Sequence, residues 1–284
     1  MNDSLTVVIV TYNPNYNVLN ECLNSIDNNF KIIIIDNSNN FDHKKIINFA
    51  TKNIFIKKNE NLGNGNGINV GIGLAKTKYI LYLDVDTILE KNFIEKIIYY
   101  AEKIENFAVL GPLLNKYNYK STDYVGQSKI TDDWNEMNFI EGAIMLINKE
   151  TINKHKISFD EKIFLYWEER DFFLQCIQKK QKIYLLNKLS AYHKGGQSID
   201  KNEFSDIELN RNWHYMWSKF YFYRKHHNYL IALYEIKFHL ISAILKIIFY
   251  TIAPNRHKKR IYFARFSGLI NSMIFKKSWH RPKV

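Results

Sequence analysis

Cysteine is scarce. The 284-residue chain has two, Cys22 and Cys176, far apart in sequence. That excludes a disulfide-stapled scaffold and a Cys-x-x-Cys metal site, and it fits a reducing compartment. Proline (4) and glycine (11) are also few, so no Pro- or Gly-rich linker divides the chain. Met1-Asn2-Asp3 runs straight into a strand-like stretch, without the basic and apolar regions of a cleavable leader. Acids are rare in the last quarter: from Arg211 onward there are 15 Lys and Arg against one acid, Glu235. The first 210 residues carry 25 basic and 27 acidic residues, so the net charge of +12 belongs to the C-terminal segment. This argues against a general nucleic-acid binder and for a near-neutral body with a basic attachment surface. What is abundant is apolar: 46% hydrophobic and 15% aromatic residues suffice for a sizeable core and exclude a disordered tail. Asparagine is frequent but scattered among charged and apolar residues, unlike a prion-like tract.

Three apolar runs end in polar residues. Leu5 to Thr11 is followed by Tyr12-Asn13-Pro14, Lys31 to Ile35 ends in Asp36-Asn37, and Tyr79 to Leu83 runs into Asp84-Val85-Asp86. These read as buried strands, with a further short strand at Ile54–Ile56. Helical spacing is expected around Val18–Ile26, Ile46–Ala50, Ile68–Ala75 and Phe93–Ile104. The alternation predicts an α/β fold whose mostly parallel sheet is covered on both faces. Ligands of such sheets bind beyond the carboxyl ends of the strands, where all three polar groups lie. Later, Phe139–Ile147 and Lys182–Leu186 resemble strands, Tyr192 to Gly196 a turn, and Glu168–Gln178 a helix. Glu203–His227 and Tyr229–Ile252 read as long helices broken near His226-His227-Asn228. The expected division is a body over residues 1–210 and a basic, aromatic-rich helical extension over 211–284.

Two carboxylates at i and i+2 after a strand, as in Asp84-x-Asp86, can face one cation if the chain turns there. Hard divalent ions prefer such oxygens and share them with phosphates. A lone Asp-x-Asp is also a common solvated loop; its position at a strand end beside the others distinguishes this one. The Asn/Gly run Asn61 to Gly71 opens a helix and suits close backbone approach to an anion, or is a flexible loop. It is not a dinucleotide fingerprint: it follows the third strand, and Ile68 occupies the place of the last glycine. Glu168-Glu169-Arg170-Asp171 follows Phe164-Leu165-Tyr166-Trp167. These acids suit a helix start through its dipole, and equally a general base beside aromatic walls. His193, near Gly195-Gly196, suits a metal or phosphate contact as well as a structural role.

Assembled, these residues make the chain resemble a family 2 glycosyltransferase of the GT-A fold, close to the rhamnosyltransferase-like bacterial group. The resemblance runs from Val7 to about His227. It rests on Val8-Ile-Val-Thr-Tyr-Asn13, Ile35-Asp36-Asn37-Ser38, Glu60-Asn61-x-Gly63 with Asn69-x-Gly71, and Leu83-Asp84-x-Asp86. Phe159-Asp160-Glu161, Tyr166-x-Glu168-Glu169-x-Asp171 and His193-x-x-Gly196-x-Ser198 complete it. It implies an inverting transfer from a nucleotide-diphosphate sugar, dTDP-rhamnose first and UDP-hexoses second, to an acceptor hydroxyl. Asp36, with Thr11 and Asn13, would contact the base or ribose, and Asn61, Gly63, Asn69 and Asp84 would join the donor site. Asp84, Asp86 and His193 would hold Mg²⁺ or Mn²⁺. Glu169 stands where the family has its catalytic carboxylate. The common pattern there is Glu-Asp-x-Asp, so the extra methylene leaves Glu168, Glu169 and Asp171 as candidates. Glu141, where relatives often carry a small residue, and Trp167 are candidate acceptor contacts. A free glutamate, with a pKa of about 4.3, is already ionised near neutrality and needs no large shift.

Tyr229–Ile252 is long enough to span a bilayer but contains Glu235, Lys237, His239 and Lys246, so an amphipathic helix in the interface fits better. Arg256 to Arg260 and Lys276-Lys277 add attraction to anionic lipid. The same helix could instead pack on the body or on a homodimer partner. The expectation is a cytoplasmic enzyme, peripheral on the inner face of the membrane, acting on a growing, lipid-linked surface glycan. A non-catalytic sugar-binding relative is disfavoured by the intact Asp84, Asp86 and Glu169. A nucleic-acid binder using the tail is disfavoured by the neutral body.

Overall fold

The computed structural model describes residues 4–38, 41–48, 53–115, 118–125, 133–198 and 204–281. The chain divides into two compact units. The first comprises Met1–Leu62, Asn66–Phe159 and Phe172–Asp200; the second comprises Gly63–Gly65, Asp160–Asp171 and Lys201–Val284.

The first unit is built on one nine-stranded sheet. Strands β1 (Leu5–Thr11), β2 (Lys31–Asp36), β3 (Ile54–Lys58) and β4 (Tyr79–Leu83) form a parallel half in the order β3-β2-β1-β4. Beyond β4 the sheet is mixed. It contains β5 (Thr87–Leu89), β6 (Phe107–Leu114), β7 (Trp134–Glu136), β8 (Ile144–Asn148) and β9 (Lys182–His193). Strand β8 is antiparallel to β4 and β6, β9 is parallel to β6, and β5 and β7 are antiparallel to β9. The helices are α1 (Tyr16–Asn24), α2 (Asn64–Leu74), α3 (Phe93–Lys103), α4 (Lys149–Lys154) and α5 (Glu168–Gln178). The first residues of α2 and the first turn of α5 belong to the second unit.

Strand side chains alternate in direction, and here both directions are buried. Val7, Ile9, Ile32, Ile34, Leu81 and Leu83 join residues of α1 and α3 in one cluster. Val8, Ile33, Ile35, Ile80 and Tyr82 join Ile68, Ile72, Phe172 and Phe173 in the other. That is why these strands read as continuous apolar runs.

The Asn/Gly run is helical from Asn64, not a turn leading into a helix at Ile68. Gly67 and Gly71, four apart, share a face; a Cβ on either would lie 2.7 Å from Val10 or 2.3 Å from Val8. Glycine is needed there to seat α2 on β1. Three other expectations change. Ile46–Ala50 is not helical over its described residues: a 3₁₀ turn covers His43–Lys45. Asn20 explains this, since its side chain takes the Lys45 carbonyl (2.9 Å) and the Ile47 amide (2.9 Å) that a helix would use. Phe139–Ala143 is a loop, and the strand begins at Ile144. Strand β9 runs on to His193 rather than ending at Leu186.

The second unit contains α6 (Phe204–His226), α7 (Tyr229–Ile252) and α8 (Arg256–Met273). Trp213, Trp217 and Tyr221 of α6 pack with Ile163 and Ala264, while Met216 and Phe220 pack with Ala232, Ile236 and Leu269. Asn228 and Asn255 cap α7 and α8 by accepting the amides of Ile231 (2.9 Å) and Lys258 (3.0 Å). Among the described residues no helix is long and apolar enough to cross a membrane.

Candidate active site

Register brings the strand-end residues of the first unit together. Thr11 pairs with Asp36 at the carboxyl ends of β1 and β2. Asp36 is fully buried. Its Oδ1 accepts the Ser38 amide at 2.9 Å and the Ser38 hydroxyl, whereas its Oδ2 has no hydrogen-bond partner among the described residues. Thr11 Oγ1 donates to the Ile35 carbonyl at 3.4 Å, and the Asn37 amide donates to the Thr11 carbonyl at 2.9 Å. Asn13 is buried in a left-handed conformation, φ 43°. Asn59, beside the expected Asn61, donates to Asn37 at 2.9 Å and to Asn66 at 3.2 Å.

Leu83 pairs with Ile144, and the Asp84 amide donates to the Ala143 carbonyl at 2.8 Å as the chain leaves β4. The next strand pairs Thr87 with His193, which delivers His193 beside Asp86. Ligating atoms of Asp84, Asp86 and His193 all lie within 4.8 Å of one another. It is the one such group of three or more found among the described residues. Each member is oriented by a further group. The Tyr82 hydroxyl donates to Asp84 Oδ1 at 2.6 Å, and the Gln197 amide donates to Asp86 Oδ2 at 3.0 Å. His193 Nε2 lies 3.3 Å from Asp86 Oδ1, and its Nδ1 lies 3.3 Å from Glu141 Oε1. Burial opposes ionisation of Asp86, but His193 and the Gln197 amide outweigh it and hold the carboxyl below its ordinary range. Burial also opposes a charge on His193; its bonds to Asp86 and Glu141 and the field of Asp84 prevail and lift it to about 10. Two oxygens and an imidazole, converging in a place that draws positive charge, fit a hard or borderline divalent cation.

In the second unit, Tyr166 and Trp167 take successive left-handed conformations, φ 62° and 71°, immediately before α5. Such conformations cost of order 1 kcal/mol or more each for bulky residues and gather at functional sites. They set Glu168, Glu169 and Asp171 in the first turn of α5, where the dipole favours acids. The three differ sharply. Glu168 is 2% exposed and accepts from the Asn64 side-chain Nδ2 at 3.4 Å. Asp171 is 0% exposed and held by Lys225 Nζ at 2.6 Å and His226 Nε2 at 2.7 Å. Lys225 also reaches Asp160 at 2.7 Å. Glu169 alone of the three is half-buried. Trp167 packs in tilted contact with the rings of Tyr215, Phe222 and Tyr223, with Arg170 5.5 Å from its own ring centre. Gly63 has φ 106°, and its Cβ would lie 2.3 Å from the Phe164 carbonyl oxygen. Asn69, in the first unit, commits its amide on both sides to the Phe159 main chain, at 2.9 and 3.1 Å. Asn61 is partly exposed.

Sequence reasoning missed Tyr82, Gln197, Lys225 and His226. Tyr82 had a signal, since residues two apart on a strand share a face. The other three meet their partners only through tertiary structure.

The profile of the family described as "Glycosyl transferase family 2" matches residues 6–229. A dTDP-rhamnosyl transferase of Shigella flexneri is 23% identical over 266 residues, 86% of this chain and 88% of that protein. An uncharacterised glycosyltransferase of Methanocaldococcus jannaschii is 27% identical over 197 residues, covering 63% and 66%. In fold, the chain is similar to S. aureus TarS 1-349 (TM-score 0.55, 15% identity, 95% of this chain and 89% of that one). It is also similar to GalNAc-T7, solved with UDP, GalNAc and Mn²⁺ (TM-score 0.58, 16% identity, 84% and 57%). With the profile covering most of its length, the chain belongs to glycosyl transferase family 2 and is a glycosyltransferase of the GT-A fold.

Proposed function

We propose that this enzyme carries out an inverting, metal-dependent transfer of a hexose from a nucleoside-diphosphate sugar to a hydroxyl of a growing, lipid-linked bacterial surface glycan. Residues 1–210 form its nucleotide-sugar-binding and catalytic domain, and it works from the cytoplasm at the inner membrane face. The observation that carries the reading is the convergence of Asp84, Asp86 and His193 at the end of β4. The fold neighbours add support: TarS was solved with UDP-GlcNAc, and GalNAc-T7 with UDP and Mn²⁺. A bound Mg²⁺ or Mn²⁺ would supply Lewis-acid neutralisation of the diphosphate leaving group.

This chain's own residues do the rest. Tyr82 and Gln197 aim the two aspartates, so the ligands need little reorganisation. The Asp36 Oδ2, buried and lacking a partner among the described residues, suits the imide N–H that thymine and uracil share. Thr11 and Asn13 line the same strand ends. As the bond from the anomeric carbon to the diphosphate breaks, that carbon gains oxocarbenium character. The acceptor oxygen attacks from the opposite face, and Glu169 takes its proton. Glu169 is preferred because Glu168 is buried and Asp171 is committed to Lys225 and His226. The Shigella relative makes dTDP-rhamnose the first donor candidate, and UDP-hexoses are second.

A thermal-shift panel of nucleoside diphosphates and their sugars, with and without Mn²⁺, tests this. One pyrimidine nucleotide should raise the midpoint only with metal, and Asp86→Ala should abolish the shift. Glu169→Gln should keep the shift and lower turnover by roughly 10²–10⁴-fold. Full turnover by Asp86→Ala, or metal-independent binding, refutes the reading.

A further inference from the structure

Helix α7 has two apolar faces and uses one. Ala232 and Ile236 are buried with Met216, Phe220 and Leu269. On the other side, Leu230 (75%), Tyr234 (66%), Phe238 (74%), Ile241 (52%), Leu245 (60%) and Ile252 (78%) are exposed. At 100° per residue, these six fall within an arc of about 80°. The arc contains no charged residue. Lys237 borders it on one side, whereas Glu235 and Lys246 lie well beyond its other edge. The Lys237 ammonium lies 3.4 Å from the centre of the Tyr234 ring and 5.1 Å from that of Phe238. Lys246 lies 5.8 Å from the Phe249 ring. A continuous exposed apolar face of this kind marks an interaction surface.

Charge says what covers it. Arg256, Lys258, Lys259 and Arg260 follow directly at the start of α8, and Glu235 is the one acid from Arg211 onward. Arg260 is held loosely by Asp206 at 3.5 Å, while Lys258 lies 5.6 Å from the Tyr250 ring. A second copy of this chain would bring two strongly basic surfaces together, which like-charge repulsion opposes. A nucleic acid would satisfy the cations but leave the apolar arc in water. An anionic bilayer satisfies both: apolar side chains enter the acyl boundary, and lysine stems reach back to the headgroups.

We propose that the exposed face of α7, with the cations at the start of α8, docks the enzyme on an anionic lipid bilayer, with α7 lying in the interfacial plane. This gives the peripheral location a named surface and does not rest on the donor assignment. Vesicle binding is read without turnover, so each reading can fail alone.

Flotation of the full chain with phosphatidylcholine vesicles, with and without phosphatidylglycerol, tests it. Binding should be roughly tenfold or more stronger with phosphatidylglycerol and should weaken as salt rises. Phe238→Glu with Leu245→Glu should abolish it while leaving the thermal midpoint and donor-nucleotide binding intact. Lys258→Gln with Lys259→Gln leaves the apolar face untouched and should cost about fivefold per cation removed. Equal binding to both vesicles, or binding undiminished by the glutamates, overturns the proposal. So does a dimer that the glutamates dissociate, in a chain that binds no vesicle.

Discussion

The two nitrogens of His193 do different work. Nε2 faces Asp86 and Nδ1 faces Glu141, each at 3.3 Å. A carboxylate on one ring nitrogen fixes the tautomer and direction of the other and raises its basicity as a ligand. Glu141 can do this because Phe139–Ala143 is a loop rather than strand, anchored where the Glu141 amide donates to the Tyr119 hydroxyl at 3.2 Å. We therefore expect Glu141→Ala to weaken Mn²⁺ binding by roughly 10–100-fold, with Glu141→Gln retaining part of the affinity. Titration of the protein with Mn²⁺, followed by paramagnetic resonance, measures this without any turnover. Unchanged affinity would return Glu141 to the role of acceptor contact that its departure from the family pattern suggested. At this scale the sequence disclosed Asp84, Asp86 and Asp36, because each acid interrupts an apolar run where a strand must end. It disclosed His193 less clearly, because the register that pairs it with Thr87 is tertiary. Among Glu168, Glu169 and Asp171 it could not choose, since the partners that withdraw Asp171 lie on α6.

Among the elements, those read correctly were the ones whose pattern meets no conflict. The β-branched runs of β1, β2 and β4 and the periodic α1 and α3 emerged as expected. Strand β6 was missed because it contains Gly111 and Pro112, which argue against an interior strand. It tolerates them through a register shift between Pro112 and Leu113. Helix α8 was read only as part of a helical extension, without bounds of its own, because its first turn is cationic, against the dipole; the Asn255 cap offsets that. Its seating on α6 depends on Gly268, where a Cβ would meet the Trp213 carbonyl oxygen at 2.3 Å. Two effects compete in Gly268→Ala. Helix propensity favours alanine by about 1 kcal/mol. The clash is with a backbone atom that cannot rotate away, so α8 must shift from Trp213 and the packing of Ala264 and Leu269. Overpacking of this kind costs about 1–3 kcal/mol, and the clash should win. A lower urea midpoint for Gly268→Ala, with an unchanged or slightly raised midpoint for an exposed control such as Ser242→Ala on α7, is the expected outcome. A higher midpoint for Gly268→Ala would mean the two helices part without cost.

For the whole molecule, the charge segregation visible in the sequence has a structural counterpart: the basic segment forms three helices of the second unit, and the strand-end acids belong to the first. The sequence could not show that Asp160–Asp171 and Gly63–Gly65 join the second unit, since such membership follows from packing rather than periodicity. The stability of that unit should depend on pH through His214. This ring is fully buried on α6. Its Nε2 lies 2.8 Å from the His280 carbonyl, to which it donates, and its Nδ1 lies 3.0 Å from the Ser278 hydroxyl, which it accepts. The neutral ring is therefore satisfied on both sides, and it ties the chain after α8 to α6. Burial is the main cause that pushes its pKa down to about 3. In the unfolded chain the value is about 6.5, so below that pH the unfolded state takes up a proton that the folded state refuses. The stability contributed is complete above pH 6.5 and drains as pH falls toward 3. Between pH 6.5 and 5 the loss is about 2 kcal/mol. Asp160 acts in a separate window. Burial opposes its ionisation, but Lys225 and the Lys162 amide hold its pKa down, so its contribution is lost only as pH falls below about 4. His193 acts in the opposite sense, since a pKa raised to about 10 adds stability as pH falls toward 6.5. The His214 loss is therefore read by comparing denaturation midpoints of the wild type and a His214 variant from pH 7.5 to 5. His214→Gln should start lower and lose less over the same range. A variant with an undiminished slope would place the titrating group elsewhere than on α6.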